Sequence, residues 1–473
     1  MDIVKQQLSA IVGKDFVLTD PAELENYGGD NISFIPCRLP LLAVKPGSVE
    51  EIQAVLKVAS FNRIPIIPSS SKGCGHGASI PSVPGLTLDL ERLNRIILID
   101  DVYRNAVIEP GVTFSQLQQK AKEKGFRVLC PLELPASSSV VSTYAEMTPL
   151  YSWPRYGTES ILTMEVLMPN GELLKTGMAA IPVIDRPYFP FGTTPAYFNK
   201  VWFGSQGTLG IVTQASIKLK TDYETKQVLF IPGESFEQVL PAIKEIKRLD
   251  SPVEIFIADA VYLAGMLADG PEAFSGIKEG LPAKTVVMIL RGEKEKVAYQ
   301  KADLQDLAEK MAFTLTDCLE ADSNAAQKVL DEVELPEGYM KFNKLRGGYA
   351  VIPFICMARQ IPVFNRVVGQ IIQQFQVDPK NIGSLLLPVE PSRVHFQYSF
   401  YYDPSDMQEY AKEKQLYQVI SSTLIKMGAF FSRPYGEWAG KVYEKADAYK
   451  SMLKKIKHEV DPEKIMNPGK LNL

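Results

Sequence analysis

The segment 69–79, SSSKGCGHGAS, has glycines at three alternate positions and constrains the fold more than any other stretch of the sequence. The preceding run RIPIIP is short and apolar, as expected for a buried strand. After the loop, Pro81 and Pro84 stand where a helix would need its first turns, and an alternating strand pattern follows. The pattern predicts a strand–loop–strand unit whose backbone amides can bind an anion such as pyrophosphate.

The same residues exclude two common phosphate-binding loops. Rossmann folds and P-loops both lead from a strand directly into a helix, whose N-terminal amides meet the phosphate. Here no helix can follow the loop, and the Gly-Lys-Ser/Thr sequence of a P-loop is missing. The loop is therefore expected to be neither a Rossmann loop nor a P-loop.

Composition narrows the class of protein. A chain of 473 residues should form two or three domains, and its net charge of −4 argues against a nucleic-acid partner. The five cysteines form no CxxC pair, which predicts neither a zinc site nor a disulfide framework, and the missing CxxCH motif makes any haem partner a separate chain. The N-terminus has the pattern of an amphipathic helix rather than a signal peptide, and no apolar run reaches about 18 residues. We expect a cytoplasmic protein without a membrane span.

Hydrophobic periodicity predicts two blocks of mixed helices and strands. In the first block, a helix begins with the capping box Ser48 to Glu51, a second helix ends at Gly125, and a hairpin turns at 169–171. The second block, about 221–430, alternates strands and helices, which suggests an antiparallel sheet with helices on one face. A terminal helix and the tail DPEKIMNPGKLNL follow.

Five ordered segments carry a resemblance to a known family. They are PSSSKGCGHGASIPSVPGLTLDLERLNRI, VIEPGVTFSQL, MEVLMPNGELLKTGMAAIP, GSQGTLGIVT and DPEKIMNPGK. Their order resembles the vanillyl-alcohol oxidase / 4-cresol dehydrogenase family of flavoproteins, and NGELLKTGMAAIP is similar to its 4-hydroxybenzyl branch. The resemblance implies an α+β fold: a PCMH-type FAD-binding domain (1–220, completed by 437–473) and a cap/substrate domain (221–436) with an antiparallel sheet covered by helices.

The resemblance also implies how FAD is bound. The glycine loop would wrap the pyrophosphate, a serine-rich loop would approach the flavin and pyrophosphate, and GTLGIVT would contact the adenosine part. Serines replace the family's glycines in the second loop, and their hydroxyls can still donate to phosphate or flavin oxygens. The implied FAD-binding residues are Ser70, Ser71, Lys72, Gly73, Cys74, Gly75, His76, Gly77, Pro81, Pro135, Ser137, Ser138, Ser139, Ser142, Tyr156, Gly157, Gly207, Gly210, Ile211, Val212, Asn467 and Lys470.

The implied reaction is hydride transfer from an aromatic 4-hydroxybenzyl-type alcohol or alkylphenol to the flavin N5. A phenolate oxygen then needs donors in a dry cavity. Arg433 in FFSRPYGEW aligns with the family's clamping arginine, whereas the family's tyrosines fall on Ser432 and His76. A clamp of Arg433 and His76 is implied, with Tyr435 as a substitute.

Two departures leave the substrate open to another aromatic or hydrophobic alcohol or acid. The acid that the family places beside the flavin N5 falls on Ala136, with Glu133 slightly upstream. The family's aromatic wall residue falls on Trp153, for which core packing is the alternative.

The neighbouring D-lactate and glycolate dehydrogenase branch, which acts on D-2-hydroxy acids, clusters histidines on the cap sheet to hold a metal. Here RVHFQYSFYYD supplies only His395, which is too little for a transition-metal site, so we expect no metal. On a strand, His395, Gln397 and Ser399 share one face, which can line the substrate cavity or be structural. His458, in the terminal helix, is expected to be solvated.

Flavin attachment and partners stay as expectations. Non-covalent FAD is the default, with Tyr349 in GGYAVIPF and then His76 as candidate covalent links. The expected partners are a small-molecule substrate and either dioxygen or a separate electron acceptor, and a homo-oligomer is among the expectations. A chain that kept the fold and lost the reaction, acting in binding or assembly, is the alternative of another class.

Overall fold

The computed structural model describes residues 2–30, 32–71, 76–181, 197–249, 254–390 and 392–473. Its α-helices are α1 Asp2–Val12, α2 Pro21–Leu24, α3 Val49–Asn62, α4 Phe114–Lys122, α5 Val140–Ala145, α6 Asn199–Trp202, α7 Phe236–Ile246, α8 Ala260–Leu267, α9 Pro271–Gly280, α10 Lys294–Met311, α11 Ala325–Glu334, α12 Tyr339–Arg346, α13 Ile361–Gln374, α14 Met407–Lys426, α15 Glu437–Tyr443 and α16 Asp447–Val460. Its strands are β1 Val17–Leu18, β2 Leu42–Val44, β3 Ile66–Ser69, β4 Leu86–Asp89, β5 Ile96–Asp100, β6 Asn105–Ile108, β7 Phe126–Arg127, β8 Ile161–Leu167, β9 Leu173–Lys175, β10 Ile211–Lys218, β11 Lys220–Thr221, β12 Thr225–Gly233, β13 Glu254–Asp259, β14 Lys284–Gly292, β15 Gly348–Met357, β16 Ile382–Pro388 and β17 Arg393–Tyr402. No described helix is long and apolar enough to cross a membrane.

A four-stranded sheet in the order β1-β2-β4-β3 carries the glycine-rich loop. β3 and β4 pair in parallel, and no α-helix occurs between them in the described residues, which agrees with the predicted strand–loop–strand unit. Helix α3 crosses from β2 to β3, and Ser48 accepts a hydrogen bond from the Glu51 amide at its N-terminus. The Glu51 carboxylate instead accepts from the Gly47 amide, one residue before the reciprocal partner that the capping box predicts.

A five-stranded antiparallel sheet, in the order β5-β6-β10-β8-β9, packs beside the first. The predicted hairpin joins β8 to β9, and Gly171 lies in its turn at a φ of 88°. Helix α4 has the capping box Thr113 to Gln116 and ends before Gly125, whose φ of 74° continues the chain out of the helix.

The third large sheet has six antiparallel strands in the order β12-β14-β13-β16-β17-β15. Alternate residues of its strands point to opposite faces: Ile255 and Ile257 pack with α7, α10, α13 and α14, whereas Phe256 packs with α8, α11 and α12. The prediction of helices on one face only is therefore wrong. The second face is covered as well, because its apolar residues continue into the core of the five-stranded sheet.

The C-terminal tail returns to the four-stranded sheet. The Ile66 amide donates to the Ile465 carbonyl at 2.7 Å, and the Asn467 amide donates to the Ile66 carbonyl at 2.8 Å. The tail thus lies against β3, directly before the glycine-rich loop.

Candidate active site

An elongated groove, which we call the groove, runs between the first two sheets. Hydroxyl groups alternate with apolar surface along it, and its described wall contains no Lys or Arg side chain. It is lined by Pro68, Ser69, Ser70, Ser71, Ala78, Ser79, Leu90, Pro110, Val141, Ser142, Ala145, Glu146, Trp202, Ser205, Gln206, Gly207, Gly210, Ile211 and Val212. Such a wall suits a ligand with hydroxyl and phosphate oxygens and flat rings.

The two serine-bearing loops are joined at the groove. The Ser139 amide donates to Ser71 Oγ at 2.8 Å, and the hydroxyls of Ser70 and Ser142 are hydrogen-bonded. Ser139 Oγ accepts from the Ser142 amide at 3.1 Å and so caps α5. The buried Ser138 Oγ has no hydrogen-bond partner among the described residues, which leaves it available to a ligand.

The structure separates the expected cofactor residues into groups. Ser70, Ser71, Ser142, Gly207, Gly210, Ile211 and Val212 line the groove. Ser137 is exposed in a neighbouring cleft that also contains Ser70 and Ser71. Lys72, Gly73, Cys74 and Gly75 lie outside the described residues. The groove wall does not include His76, Gly77, Pro81, Pro135, Ser138, Ser139, Tyr156, Gly157, Asn467 or Lys470.

Asn467 and Lys470 hold the exit of the glycine-rich loop. Lys470 Nζ donates to the Gly77 and Ile80 carbonyls at 2.7 and 2.6 Å, and Asn467 Nδ2 donates to the Ala78 carbonyl at 3.0 Å. Burial lowers the pKa of Lys470 to about 8. Lys470 Nζ and Asn467 Nδ2 are thus bonded to the loop, whereas the buried Asn467 Oδ1 has no partner among the described residues. A contact of these two side chains with the cofactor stays a prediction.

Gly157 is needed for packing. A Cβ at this position would lie 2.5 Å from the Tyr144 ring. Its neighbour Tyr156 has a buried hydroxyl without a partner in the described chain. Tyr156 lines neither the groove nor the two cavities next to it. Neither residue lines the groove, and their contact with the cofactor stays a prediction.

A second cavity, the inner cavity, adjoins the groove and shares Glu146 with it. Its wall is mostly apolar, and none of its residues is exposed. It is lined by Ile32, His76, Pro131, Leu132, Glu133, Leu134, Thr143, Glu146, Thr148, Pro149, Leu385, Leu387, Gln397, Arg433 and Tyr435. The six-stranded sheet contributes residues from β16 and β17, so the cavity lies between this sheet and the segments 131–134 and 143–149.

Arg433 is the cation of the inner cavity. Within the described chain its guanidinium has no hydrogen-bond or ion-pair partner, although it is half-buried. Burial, and then the Arg433 charge, lower the pKa of His76 well below its ordinary value. An imidazole with so low a pKa is neutral at pH 7 and offers one donor and one acceptor.

His76 and Tyr435 form a ring pair on the cavity wall. The rings stack with centroids 5.1 Å apart and planes 6° apart, and the Tyr435 hydroxyl donates to Glu146 Oε2 at 2.9 Å. His76 has a φ of 66°, in the left-handed region that residues other than glycine adopt only uncommonly. Its Nδ1 is buried and has no partner in the described part of the chain.

Two carboxylates also face this cavity. Glu133 Oε1 accepts from the Tyr349 hydroxyl at 3.0 Å and from the Gln397 amide. Glu146 Oε1 accepts from the Gln206 amide at 3.1 Å. Burial raises the pKa of both carboxyls above the ordinary value. A carboxyl whose pKa is raised gains and loses its proton closer to neutral pH than an ordinary carboxyl does.

The remaining sequence expectations have different outcomes. His395 is buried on β17, and neither ring nitrogen has a partner among the described residues, but it does not line the inner cavity. Burial, followed by the Arg433 charge, lowers the pKa of His395. Tyr349 does not line the inner cavity. Its hydroxyl donates a hydrogen bond to Glu133 Oε1 and lies 3.0 Å from Ser399 Oγ. Trp153 is 61% exposed and is neither a cavity wall nor a core residue, because its neighbour Tyr151 takes the buried position instead.

Sequence reasoning missed Glu146 and Gln206. Glu146 reaches its partners only through the fold, 60 and 289 residues away in the chain. The segment GSQGTLG is predicted to be a cofactor-binding loop because of its glycines. Nothing in the sequence marks Gln206, which lies between them, as a site residue. In the described ranges, no group of three or more His, Cys, Asp or Glu side chains could hold a metal ion.

The comparisons with known proteins agree with this geometry. Residues 40–177 match the family model of the FAD binding domain. An uncharacterized FAD-linked oxidoreductase of Mycobacterium tuberculosis is 25% identical over 480 residues, covering 99% of both chains. D-2-hydroxyglutarate dehydrogenase of Xanthomonas citri pv. viticola is 25% identical over 477 residues, covering 96% of this chain and 93% of the relative. The crystal structure of p-cresol methylhydroxylase with substrate bound matches with a TM-score of 0.83 and 19% identity, covering 100% of this chain and 96% of that chain.

The groove fits FAD by the chemistry of its wall. Its hydroxyls suit ribityl and phosphate oxygens, and its apolar segments suit the two ring systems. The α+β fold expected from the sequence is confirmed, and so is FAD as the cofactor. The chain is an FAD-dependent oxidoreductase with the PCMH-type FAD-binding fold.

Proposed function

We propose that the protein oxidises an aromatic alcohol or alkylphenol of the 4-hydroxybenzyl type, as in the vanillyl-alcohol oxidase / 4-cresol dehydrogenase family. The observation that carries the proposal is an apolar inner cavity with one guanidinium, Arg433, that makes no hydrogen bond or ion pair with a described side chain, although its charge acts on the carboxyls of Glu133 and Glu146. Leu132, Leu385 and Leu387 supply surface for an aromatic ring. A cation left without a partner in such a cavity favours a ligand that brings one negative charge.

Arg433 would bind the phenolate oxygen. A guanidinium is cationic at any working pH and presents a planar fork of donors, which suits an oxyanion. Ionisation of the phenol moves electron density toward the benzylic carbon, and FAD supplies the acceptor for the hydride that this carbon releases. Glu133 and Glu146 are the carboxylates of the cavity that can take the phenolic proton, since burial raises the pKa of both.

FAD would be held by the hydroxyl and backbone groups of the groove, with Ser70, Ser71 and Ser142 on one side and Gly207 and Gly210 on the other. We retain the division into an FAD-binding domain, 1–220 with 437–473, and a cap domain, 221–436. The bonds between the tail and β3 support including the C-terminal segment in the first domain.

A D-2-hydroxy acid is the second candidate substrate. The relative from Xanthomonas citri is named for D-2-hydroxyglutarate and matches nearly the whole chain. Arg433 would bind the carboxylate of such an acid as readily as a phenolate.

The test is anaerobic reduction of the bound flavin, followed by its absorbance. We expect 4-hydroxybenzyl alcohol and 4-methylphenol to bleach the flavin, and 4-methoxybenzyl alcohol, whose oxygen cannot ionise, to leave it oxidised. Bleaching by D-lactate or D-2-hydroxyglutarate alone would support the second candidate. A colourless protein that takes up no FAD would contradict both.

A further inference from the structure

A third cavity, the outer cavity, shares His76 and Tyr435 with the inner cavity. The stacked ring pair is therefore a common wall between the two. Aromatic rings also form much of the remaining surface: Phe34, Tyr417 and Trp438 line the outer cavity, and the last two stack at 5.7 Å. An aromatic ligand would find ring faces on several sides here.

The outer cavity reaches the protein surface, whereas the inner cavity does not. Pro36, Gly436 and Glu437 line the outer cavity and are exposed. Every described residue that lines the inner cavity is buried or half-buried. The inner cavity's other neighbour is the groove, which the cofactor would fill. A substrate arriving at the loaded enzyme therefore needs another way in.

The polar groups at the rim do not compete for such a ligand. Gln418 Nε2 donates to Glu437 Oε1 at 3.1 Å, and Lys441 Nζ donates to Ser422 Oγ at 2.8 Å. Ser421, deeper in the wall, donates its hydroxyl to the Tyr417 carbonyl at 2.7 Å. With these groups bonded to each other, the surface left for a ligand is mostly aromatic and apolar.

We propose that the outer cavity is an entry site for an aromatic small molecule, the substrate of the proposed function, and that the His76–Tyr435 pair separates this site from the inner cavity. The substrate binds first among Phe34, Tyr417 and Trp438. It then passes the ring pair to reach Arg433. This inference rests on the proposed function for the chemical class of the ligand.

The test fills the outer cavity without touching the inner one. Ser421→Phe places a ring in the outer cavity, and Thr423→Phe, two residues along the same helix and outside the cavity wall, is the matched control. The probe is 4-bromophenol, which has no benzylic carbon and cannot reduce the flavin. Its binding to the FAD-loaded protein is followed by stopped-flow flavin absorbance.

A blocked route slows entry and exit alike. We expect Ser421→Phe to lower the association and dissociation rate constants of 4-bromophenol by the same factor, about tenfold or more, so that Kd stays within about twofold. Thr423→Phe should leave both constants unchanged. If Ser421→Phe yields too little folded protein, Gln418→Trp at the rim makes the same test.

Three results would overturn the inference. Unchanged rate constants in Ser421→Phe and Gln418→Trp would place the route elsewhere. A changed Kd with an unchanged association rate constant would mean a distorted inner cavity. Failure of the wild-type protein to bind 4-bromophenol would contradict the proposed function as well, whereas binding with unaltered kinetics contradicts the entry site alone.

Discussion

Arg433 is the residue at which binding of a substrate anion can be separated from binding of the cofactor. It lines the inner cavity and not the groove, and no described residue pairs with it. A hydrogen bond to a charged group typically contributes about 1.5–3 kcal/mol. Because about 1.4 kcal/mol corresponds to tenfold in rate, Arg433→Ala should slow flavin reduction by roughly 10- to 200-fold.

The same variant should keep its FAD content, since Arg433 lines the inner cavity and not the groove. Arg433→Lys is the informative comparison: it should recover little activity if both arms of the guanidinium bind the oxyanion, and more if charge alone matters. Reduction of the alanine variant at the wild-type rate would assign the clamp to another residue, His76 or Tyr435 first.

Glu133 provides a pH test at the residue scale. Burial raises its pKa, so the folded state holds the proton more tightly than the unfolded chain does. Its favourable contribution is therefore complete below the ordinary carboxyl pKa of about 4.3 and is lost as the pH rises through the folded-state value. Glu133→Gln should become more stable relative to wild type as the pH increases above about 4.3.

The measurement is Tm against pH for wild type, Glu133→Gln and the exposed control Glu463→Gln. A gain of about 1 kcal/mol at high pH would raise Tm by roughly 2–4 °C. A Tm difference for Glu133→Gln that stays flat across this range would show that the carboxyl ionises as easily in the folded protein as in the unfolded one.

At the scale of elements, the C-terminal tail supports the end of the glycine-rich loop through hydrogen bonds. Lys470 holds the Gly77 and Ile80 carbonyls, so the loop's exit is fixed by a residue almost 400 positions later in the chain. Lys470→Met keeps the apolar stem of the side chain and removes both bonds. We expect FAD affinity to fall by about tenfold or more, since two bonds to a charged group are lost.

FAD affinity is measured by titrating the apoprotein and following flavin fluorescence. Lys464→Met, an exposed lysine in the same tail, should bind FAD as the wild type does. Equal affinity in the two variants would show that the loop needs no support from the tail.

The elements that sequence predicted well are those with local signals. The cap at Ser48, the helix end before Gly125 and the turn at Gly171 each depend on residues within a few positions. The exposure of Trp153 and the position of Glu146 depend on distant contacts, and neither could be read from the chain alone. The helices on the second face of the six-stranded sheet were missed for the same reason: burial on both sides is a property of the assembled sheets.

At the scale of the whole molecule, a buried ion network joins the two halves of the chain. Glu254 on β13 binds Arg127 on β7 and accepts from Arg291 Nε at 3.1 Å. Arg291 Nη1 also donates to Glu334 Oε1 at 3.1 Å. Burial opposes ionisation of Glu254, but the two guanidiniums outweigh it and hold its pKa below the ordinary value. The network thus keeps its charges although little water reaches it.

Removing the central carboxylate should therefore be costly. Glu254→Gln leaves the buried Arg127 without its counter-charge and Arg291 with Glu334 alone, and breaking a buried pair typically costs about 3–5 kcal/mol. Urea unfolding should show this loss at pH 7, while Glu123→Gln, which removes the exposed pair with Lys120, should change stability by less than about 1 kcal/mol. Because the pKa of Glu254 is lowered, its contribution is complete above the ordinary carboxyl pKa of about 4.3 and falls as the pH drops through the folded-state value. The gap between wild type and Glu254→Gln should narrow in acid, and a gap that is constant from pH 7 to pH 3 would show that packing, rather than charge, joins the two halves here.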